Sequence, residues 1–347
     1  MKSELLDHIG VQTLRHQLSS TSNYMRVTRC LCFVTMLISY FVVYEIFSVA
    51  TIGVKYLIPQ TRFSYKRYFA AGFWTLCIYI LELSNVNVEI SGDELETENA
   101  LFISNHASLI DYIIYPYLVL KSTRKPSELE AARKNEKKGE PEKIFAKDLS
   151  SILLPRINFF TWYAIWFIPS FRVFRNVFQA DENWELNDET LGFVFKDILD
   201  SEVVEWLVTF PEVNIFTKKD AKLQQGMSEK FYLPVLNNLL YPRYSSFANA
   251  VSGLHKTQFT RLYDTSIMYY RQTPQGNISF EAPNLLEAFG LYEGQITIKI
   301  HVHAKMMSRI PLKRNKLEKW LERKWIKKDR LITKLKNEVA KEHLQGS

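Results

Sequence analysis

From Leu101 to Tyr112 the sequence reads LFISNHASLIDY, an apolar run that delivers Asn105, His106, Ser108 and Asp111 in quick succession. A short apolar run closed by a polar turn reads as a strand, so these polar groups fall at the rim of a sheet. A histidine there can take a proton near neutral pH, and Asp111, in the first turn of a following helix, can fold back onto its other ring nitrogen. Such a pair is the general-base half of an acyl transfer to a hydroxyl. The acid would fix the tautomer and stabilise the imidazolium that forms, while the nucleophile belongs to the substrate. The spacing equally suits His106 as a helix cap and Asp111 as a first-turn acid favoured by the helix dipole. Spacing alone leaves both readings open.

A second strand runs into a turn at Leu207-Val208-Thr209-Phe210-Pro211-Glu212, a pattern common among ordinary turns. Taken together the segments resemble a known family. Asn105 through Asp111 is similar to the NHxSxxD box of the lysophospholipid and glycerolipid acyltransferases, with four matched polar positions. Phe210, Pro211 and Glu212 resemble the family's FPEGT box, whose glutamate helps bind the lysolipid acceptor. Val213 and Asn214 stand where the family has Gly and Thr, and Val disfavours the tight turn that Gly allows. Asn183 through Glu189 resembles the trailing part of a further box, with Glu182 where a phosphate-binding arginine is expected. Arg175, with Arg172, lies just upstream and could replace it as a bidentate phosphate donor; a membrane-surface arginine is the plainer reading. Leu240-Tyr241-Pro242-Arg243 resembles the fourth box, which lines the acyl pocket, and Leu262-Tyr263-Asp264 with the apolar run after it also fits.

The resemblance runs from Leu31 to Lys336 and is strongest to the eukaryotic branch of lysophosphatidylinositol and lysocardiolipin acyltransferases, fungal members included. It implies an acyl-CoA-dependent O-acyltransferase that acylates the free glycerol hydroxyl of a lysophospholipid in phospholipid synthesis or remodelling. Lysophosphatidylinositol is the acceptor the branch implies, and lysophosphatidate is the next. His106 and Asp111 would be catalytic, and Asn105, Ser108, Arg175, Glu212, Pro242 and Arg243 would bind substrate. Acyl-CoA enters as co-substrate, with no cofactor and no metal, and membrane lipids complete the partners. The implied location is the endoplasmic reticulum membrane with the catalytic domain facing the cytoplasm, and lipid droplets as a second site.

The elements needed to position these residues are legible as an α/β pattern: a mixed sheet flanked by helices, preceded by a membrane-anchoring helical hairpin. Strands are expected around Val86, Val88 and Ile90, at Ala100 to Ser104, Ile144 to Ala146, Val203 to Phe210 and Ile296 to Val302. Leu31 to Ala50 is apolar except for Glu45, long enough to cross a bilayer at about 1.5 Å per residue. Tyr68 to Leu83 is shorter, and basic residues flank both blocks, so a re-entrant hairpin with both ends beside the anionic leaflet is expected. Ile152 to Phe174, broken by Pro155, Arg156 and Pro169, reads as a membrane-dipping element, and the charged stretch between Lys121 and Lys143 as a solvated excursion. The expected divisions are 1–30 N-terminal, 31–83 hairpin, 84–304 catalytic domain and 305–347 basic amphipathic helix.

A net charge of +7 over 347 residues calls for an anionic partner. No nucleic-acid recognition motif accompanies it, which leaves acidic lipid or a phosphate-bearing substrate. Cys30, Cys32 and Cys77 form no disulfide framework and no metal spacing. His301-x-His303 places two imidazoles on one strand face, without a third ligand at recognisable spacing. In the tail, Leu317, Leu321, Trp325, Ile332 and Leu335 recur at helical spacing, interrupted by Lys328, as in a helix lying on the domain or on a membrane. Two rival functions remain: a metal-assisted lipid hydrolase using His106, Asp111 and Glu212, and a catalytically silent membrane scaffold.

Overall fold

The computed structural model describes residues 2–19, 23–57, 65–122, 155–161, 177, 179 and 184–346. In chain order the helices and strands are α1 (Lys2–Ile9), α2 (Val11–Leu18), α3 (Tyr24–Leu57), α4 (Tyr65–Leu83), β1 (Val86–Gly92), β2 (Ala100–Ser104) and α5 (Asp111–Ser122). They continue with β3 (Arg156–Phe159), α6 (Asp188–Leu199), β4 (Glu205–Thr209), α7 (Lys218–Lys230), α8 (Tyr244–Leu254), β5 (Arg261–Gln272), β6 (Ile278–Ser279), β7 (Gln295–Met306) and α9 (Arg314–Gly346).

Among the described residues the strands form one mixed sheet in the order β1-β7-β5-β2-β4-β3, with β6 on β5. β2 lies parallel to both β4 and β5, whereas β5 and β7 pair antiparallel. Strands buried on both faces read as continuous apolar runs, and every residue of β2 and β4 is buried. Alternate side chains therefore enter two separate cores. On one face Phe102 stacks between Trp206 and Tyr263, with centroids 4.5 and 5.0 Å away, beneath α4 and α5. On the other, Leu101, Ile103 and Leu207 pack with Phe195, Phe247 and Trp325 of α6, α8 and α9. The sheet is thus covered on both sides, and the C-terminal ends of its parallel strands are held by packed layers.

α3 contains an apolar stretch, Tyr24–Thr51, long enough to cross a membrane, with 11% of its window buried. Ile38, Ile46 and Val49 along it are more than half exposed. α4 behaves differently. Phe73, Cys77, Ile80 and Leu81 are buried in the same core as the sheet, so its short apolar stretch is a domain helix facing β-strands. The two helices do pair, through the Tyr40 hydroxyl donating to the Phe69 carbonyl at 2.8 Å and a Phe41–Phe73 ring contact at 4.8 Å. The division expected at 83–84 therefore separates two elements of one core.

Two further expectations need correction. The stretch read as membrane-dipping holds β3, with Phe159 and Phe160 fully buried and Arg156–Phe159 paired parallel to Glu205–Val208. Within it Arg156–Phe159 is thus a sheet strand filling a core, while the rest of the aromatic run, 162–174, lies outside the described residues. The tail helix begins at Arg314, because β7 continues to Met306 and a short turn follows over Met307–Arg309. It lies on the domain: Leu317, Leu321, Trp325 and Ile332 are buried against the second face of the sheet. Ile144 to Ala146, the charged stretch, Arg172, Arg175, Glu182 and Asn183 fall outside the described residues.

Candidate active site

The end of β2 and the start of α5 fold as a tight turn around one carboxylate. Asp111 Oδ2 accepts from His106 Nδ1 at 2.9 Å, from the Ala107 N–H at 2.7 Å and from the Ser108 N–H at 3.0 Å. Its Oδ1 accepts from the Tyr269 hydroxyl at 2.5 Å. This set of donors fixes the buried carboxylate in orientation. His106 is 1% and Asp111 0% exposed. The imidazole is clamped edge and face, stacked on Phe210 at 4.2 Å with the planes 9° apart and edge-on to Tyr112 at 5.3 Å. Its carbonyl also accepts from the Phe216 N–H at 2.7 Å. Nδ1 is committed to Asp111, so Nε2 is the nitrogen through which the ring would exchange a proton.

Asn105 and Ser108 serve this turn directly. The Asn105 amide donates to the Ile267 carbonyl at 2.9 Å and accepts from the Ile267 N–H at 2.8 Å, so it continues the β2–β5 pairing past the last strand residue. Ser108 Oγ donates to the Pro283 carbonyl at 2.6 Å and accepts from the Ile110 N–H at 3.3 Å. Both side chains hold the loop that carries His106. The N–H groups of Ala107, Ser108 and Ile110 are thereby engaged by side chains, which removes them as oxyanion donors at the helix start, where such donors would be sought first.

The Phe210-Pro211-Glu212 turn meets the Leu240–Arg243 segment through two hydrogen bonds. Glu212 Oε2 accepts from the Leu240 N–H at 3.2 Å, and the Pro211 carbonyl accepts from the Arg243 N–H at 2.7 Å. Val213 takes φ 66°, so the turn is made in the left-handed region without glycine. For a β-branched residue this costs on the order of 1–2 kcal/mol. Hydrogen bonds from the Val213 N–H to Phe210 and from the Asn214 N–H to Glu212, at 2.9 and 2.7 Å, hold it there, and Val213 itself is buried.

Glu212 is 2% exposed. Burial pushes its carboxyl up to about 8, against the opposing pull of the Leu240 N–H, the Lys328 ammonium and the Trp325 indole. Its carboxylate thus meets the Leu240 N–H and the Lys328 and Trp325 side chains of α9, with the Asp111 charge adding to the upward shift. Pro242 is buried behind the same turn, and Arg243 begins α8 as its cap.

Beside the histidine turn lies an open cleft of about 620 Å³, with Asn105, Ala107, Ser108 and Tyr269 on one wall and Phe280 and Ile332 on another. Its polar rim includes Lys218, Arg271 and Lys336, with Asp7 and His8 brought in from α1. Burial lowers the pKa of His8, and the nearby His106 imidazole lowers it further. α1 is fastened at this edge through α2, whose Thr13 hydroxyl accepts from the Asn284 amide at 3.1 Å and whose Gln17 donates to the Leu291 carbonyl at 3.2 Å.

Three side chains in or near this site had no role assigned in the sequence reading. Tyr269 completes the Asp111 cage from β5, and its phenol is held well above the usual range by burial and the Asp111 charge, so it stays a donor. Lys328, read as an interruption of the tail helix, is 2% exposed. It donates to the Thr265 carbonyl at 2.6 Å and pairs with Asp264 at 2.8 Å. His8 carried no local signal at all. Tyr269→Phe leaves Asp111 Oδ1 short of a buried donor. It is expected to cost about 1.5–3 kcal/mol of stability and roughly tenfold in kcat with KM unchanged, measured by melting and by initial rates. A variant with wild-type values of both would show that Asp111 is positioned without it.

With this geometry in place, comparison with known proteins adds an independent line. The chain is 24% identical over 287 residues to 1-acyl-sn-glycerol-3-phosphate acyltransferase 2 of Brassica napus, a match covering 80% of this chain and 64% of that protein. It is 24% identical over 264 residues to 1-acyl-sn-glycerol-3-phosphate acyltransferase 3 of Arabidopsis thaliana, covering 75% and 59%. The mouse enzyme named 1-acyl-sn-glycerol-3-phosphate acyltransferase epsilon is 21% identical over 255 residues, covering 72% and 61%. These relatives support an enzyme of the acyltransferase class. The chain spans just under two thirds of the length of the curated relatives it matches. No family model and no solved structure matches the sequence.

Proposed function

We propose that this protein transfers a fatty acyl group from acyl-CoA to the free glycerol hydroxyl of a lysophospholipid at a membrane surface. The observation that carries the reading is the buried His106 Nδ1–Asp111 Oδ2 hydrogen bond of 2.9 Å at the end of β2, next to the cleft. His106 Nε2 takes the proton of the acceptor hydroxyl as its oxygen attacks the thioester carbonyl. The tetrahedral intermediate collapses with release of the CoA thiolate, and the imidazolium returns its proton to that leaving group. Asp111 keeps the ring in the required tautomer and stabilises its charged form. The apolar face of α3 holds the domain at the bilayer, so acyl chains reach the cleft sideways from lipid. The endoplasmic reticulum, with the domain toward the cytoplasm, and lipid droplets are the locations that follow from the resemblance.

The family branch favours lysophosphatidylinositol as acceptor. A second reading, lysophosphatidate, rests on a specific observation: the matched relatives carry 1-acyl-sn-glycerol-3-phosphate in their names. Both acceptors present a phosphate, and the cleft rim carries Lys218, Arg271 and Lys336; Lys218 pairs with Glu281 and Arg271 with Glu281 and Glu287, so a phosphate entering there competes with these carboxylates. The test is acyl transfer from labelled oleoyl-CoA and stearoyl-CoA to a panel of lysophospholipids, using the full chain in membranes. Acylation of one acceptor names the substrate. Absence of transfer to every acceptor would overturn the reading in favour of a silent scaffold.

A further inference from the structure

The tail helix α9 shelters a second cavity, of about 500 Å³, whose lining shares no residue with the cleft. One wall is helical: Arg323, Lys324, Lys327 and Lys328 recur at the spacing of one helix face. The other is the sheet, where His301, His303 and Lys305 alternate on one face of β7. Register places Ser266 and Asp264 of β5 directly beside His301 and His303. The histidine pair that sequence left without a role therefore faces a cationic helix.

Charge in this cavity is far from balanced. Five Lys and Arg side chains line it against one carboxylate, Asp264. Asp264 is already shared, with Lys328 at 2.8 Å and Lys324 at 3.5 Å. His303 holds the Asp93 carboxylate through Nδ1 at 3.1 Å, and His301 Nδ1 lies 3.1 Å from the Ser91 hydroxyl, so both rings are oriented from behind. Lys324 is 12% exposed at its side chain and lies 5.6 Å from the centre of the Trp320 ring. Burial brings its ammonium down to about 8, with Lys305 adding to the fall. Like charges gathered on half-buried walls repel one another unless an anion enters.

We propose that this cavity is an anion-binding site, separate from the cleft, for a phosphate group of two or more negative charges, with Lys305, Arg323, Lys324 and Lys327 as its ligands. Lys328 is the positioning residue, since its donors are taken by Asp264 and the Thr265 carbonyl. Such a group occurs on soluble phosphorylated molecules and on acidic lipid headgroups, and the chemistry of recognition is the same.

The test uses the full chain purified in neutral detergent, with inorganic pyrophosphate as probe at constant ionic strength and titration calorimetry as readout. Arg323 and Lys327 are exposed, so Arg323→Gln and Lys327→Gln leave the fold intact. Each is expected to weaken pyrophosphate binding by roughly tenfold with an unchanged ligand-free melting temperature. Equal binding by wild type and the double variant, or no binding by wild type, would overturn the site. Vesicles of phosphatidylcholine with and without phosphatidate identify the source. Displacement of pyrophosphate by the phosphatidate vesicles alone assigns the site to lipid headgroups, and its absence assigns it to soluble phosphates.

Discussion

His106→Ala is expected to lower kcat for acyl transfer by at least ~10²-fold, the contribution of a positioned general base. KM should change little, because the proton transfer is an interaction made in the transition state and not in the bound substrate. The acceptor hydroxyl is a poor nucleophile without a base, and Asp111 cannot replace the histidine: its two oxygens already accept from Ala107, Ser108 and Tyr269. The substitution removes the ring stacked on Phe210, so some loss of stability must be separated from loss of chemistry. Melting and expression are therefore compared at matched protein level. A folded variant that retains the wild-type rate would remove His106 from the mechanism and leave the scaffold reading standing. Asp111→Asn offers an independent check, since an amide in the same cage cannot stabilise the imidazolium and should also reduce kcat.

The parts of the site that were legible in sequence are those whose chemistry is local. His106 and Asp111 sit within one strand-to-helix turn, so spacing allowed the pair and the family resemblance chose it over a helix cap, and β2 was read to its observed bounds because its apolar run is short and sharply ended. Tyr269 was invisible because it lies 158 residues from the carboxylate it binds, and only the parallel pairing of β2 with β5 makes them neighbours. Lys328 interrupted an apolar helical pattern and Lys327-Lys328-Asp329 resembled a tail element of the family, but its partner Asp264 comes from a strand that no spacing links to the tail. Likewise β3 was hidden in an aromatic run, since a strand buried on a sheet edge and a membrane-dipping segment use the same residues. Apolar content therefore located α3 and α4 but could not say that α3 exposes its face while α4 buries it.

Glu212→Gln should largely abolish one component of the pH dependence of stability. In the folded protein burial holds this carboxyl at about 8, above its ordinary 4.5, so it stays protonated where the unfolded chain has already ionised. The unfolded state then binds fewer protons, and stability falls as pH rises. The contribution is complete below 4.5, declines through the interval, and is lost once pH passes about 8. At most about 5 kcal/mol is at stake over that range. Glutamine keeps an oxygen for the Leu240 N–H and carries no charge to desolvate, so the variant should gain on wild type steadily between these two values. Lys324, lowered to about 8 by burial, acts in the opposite sense and mainly above that point, where stability recovers with rising pH. The difference between variant and wild-type melting curves cancels it. The measurement is melting temperature of both proteins in the same detergent from pH 4.5 to 8. Parallel curves would mean that the Lys328 ammonium compensates the carboxylate fully, and that Glu212 is ionised inside the fold.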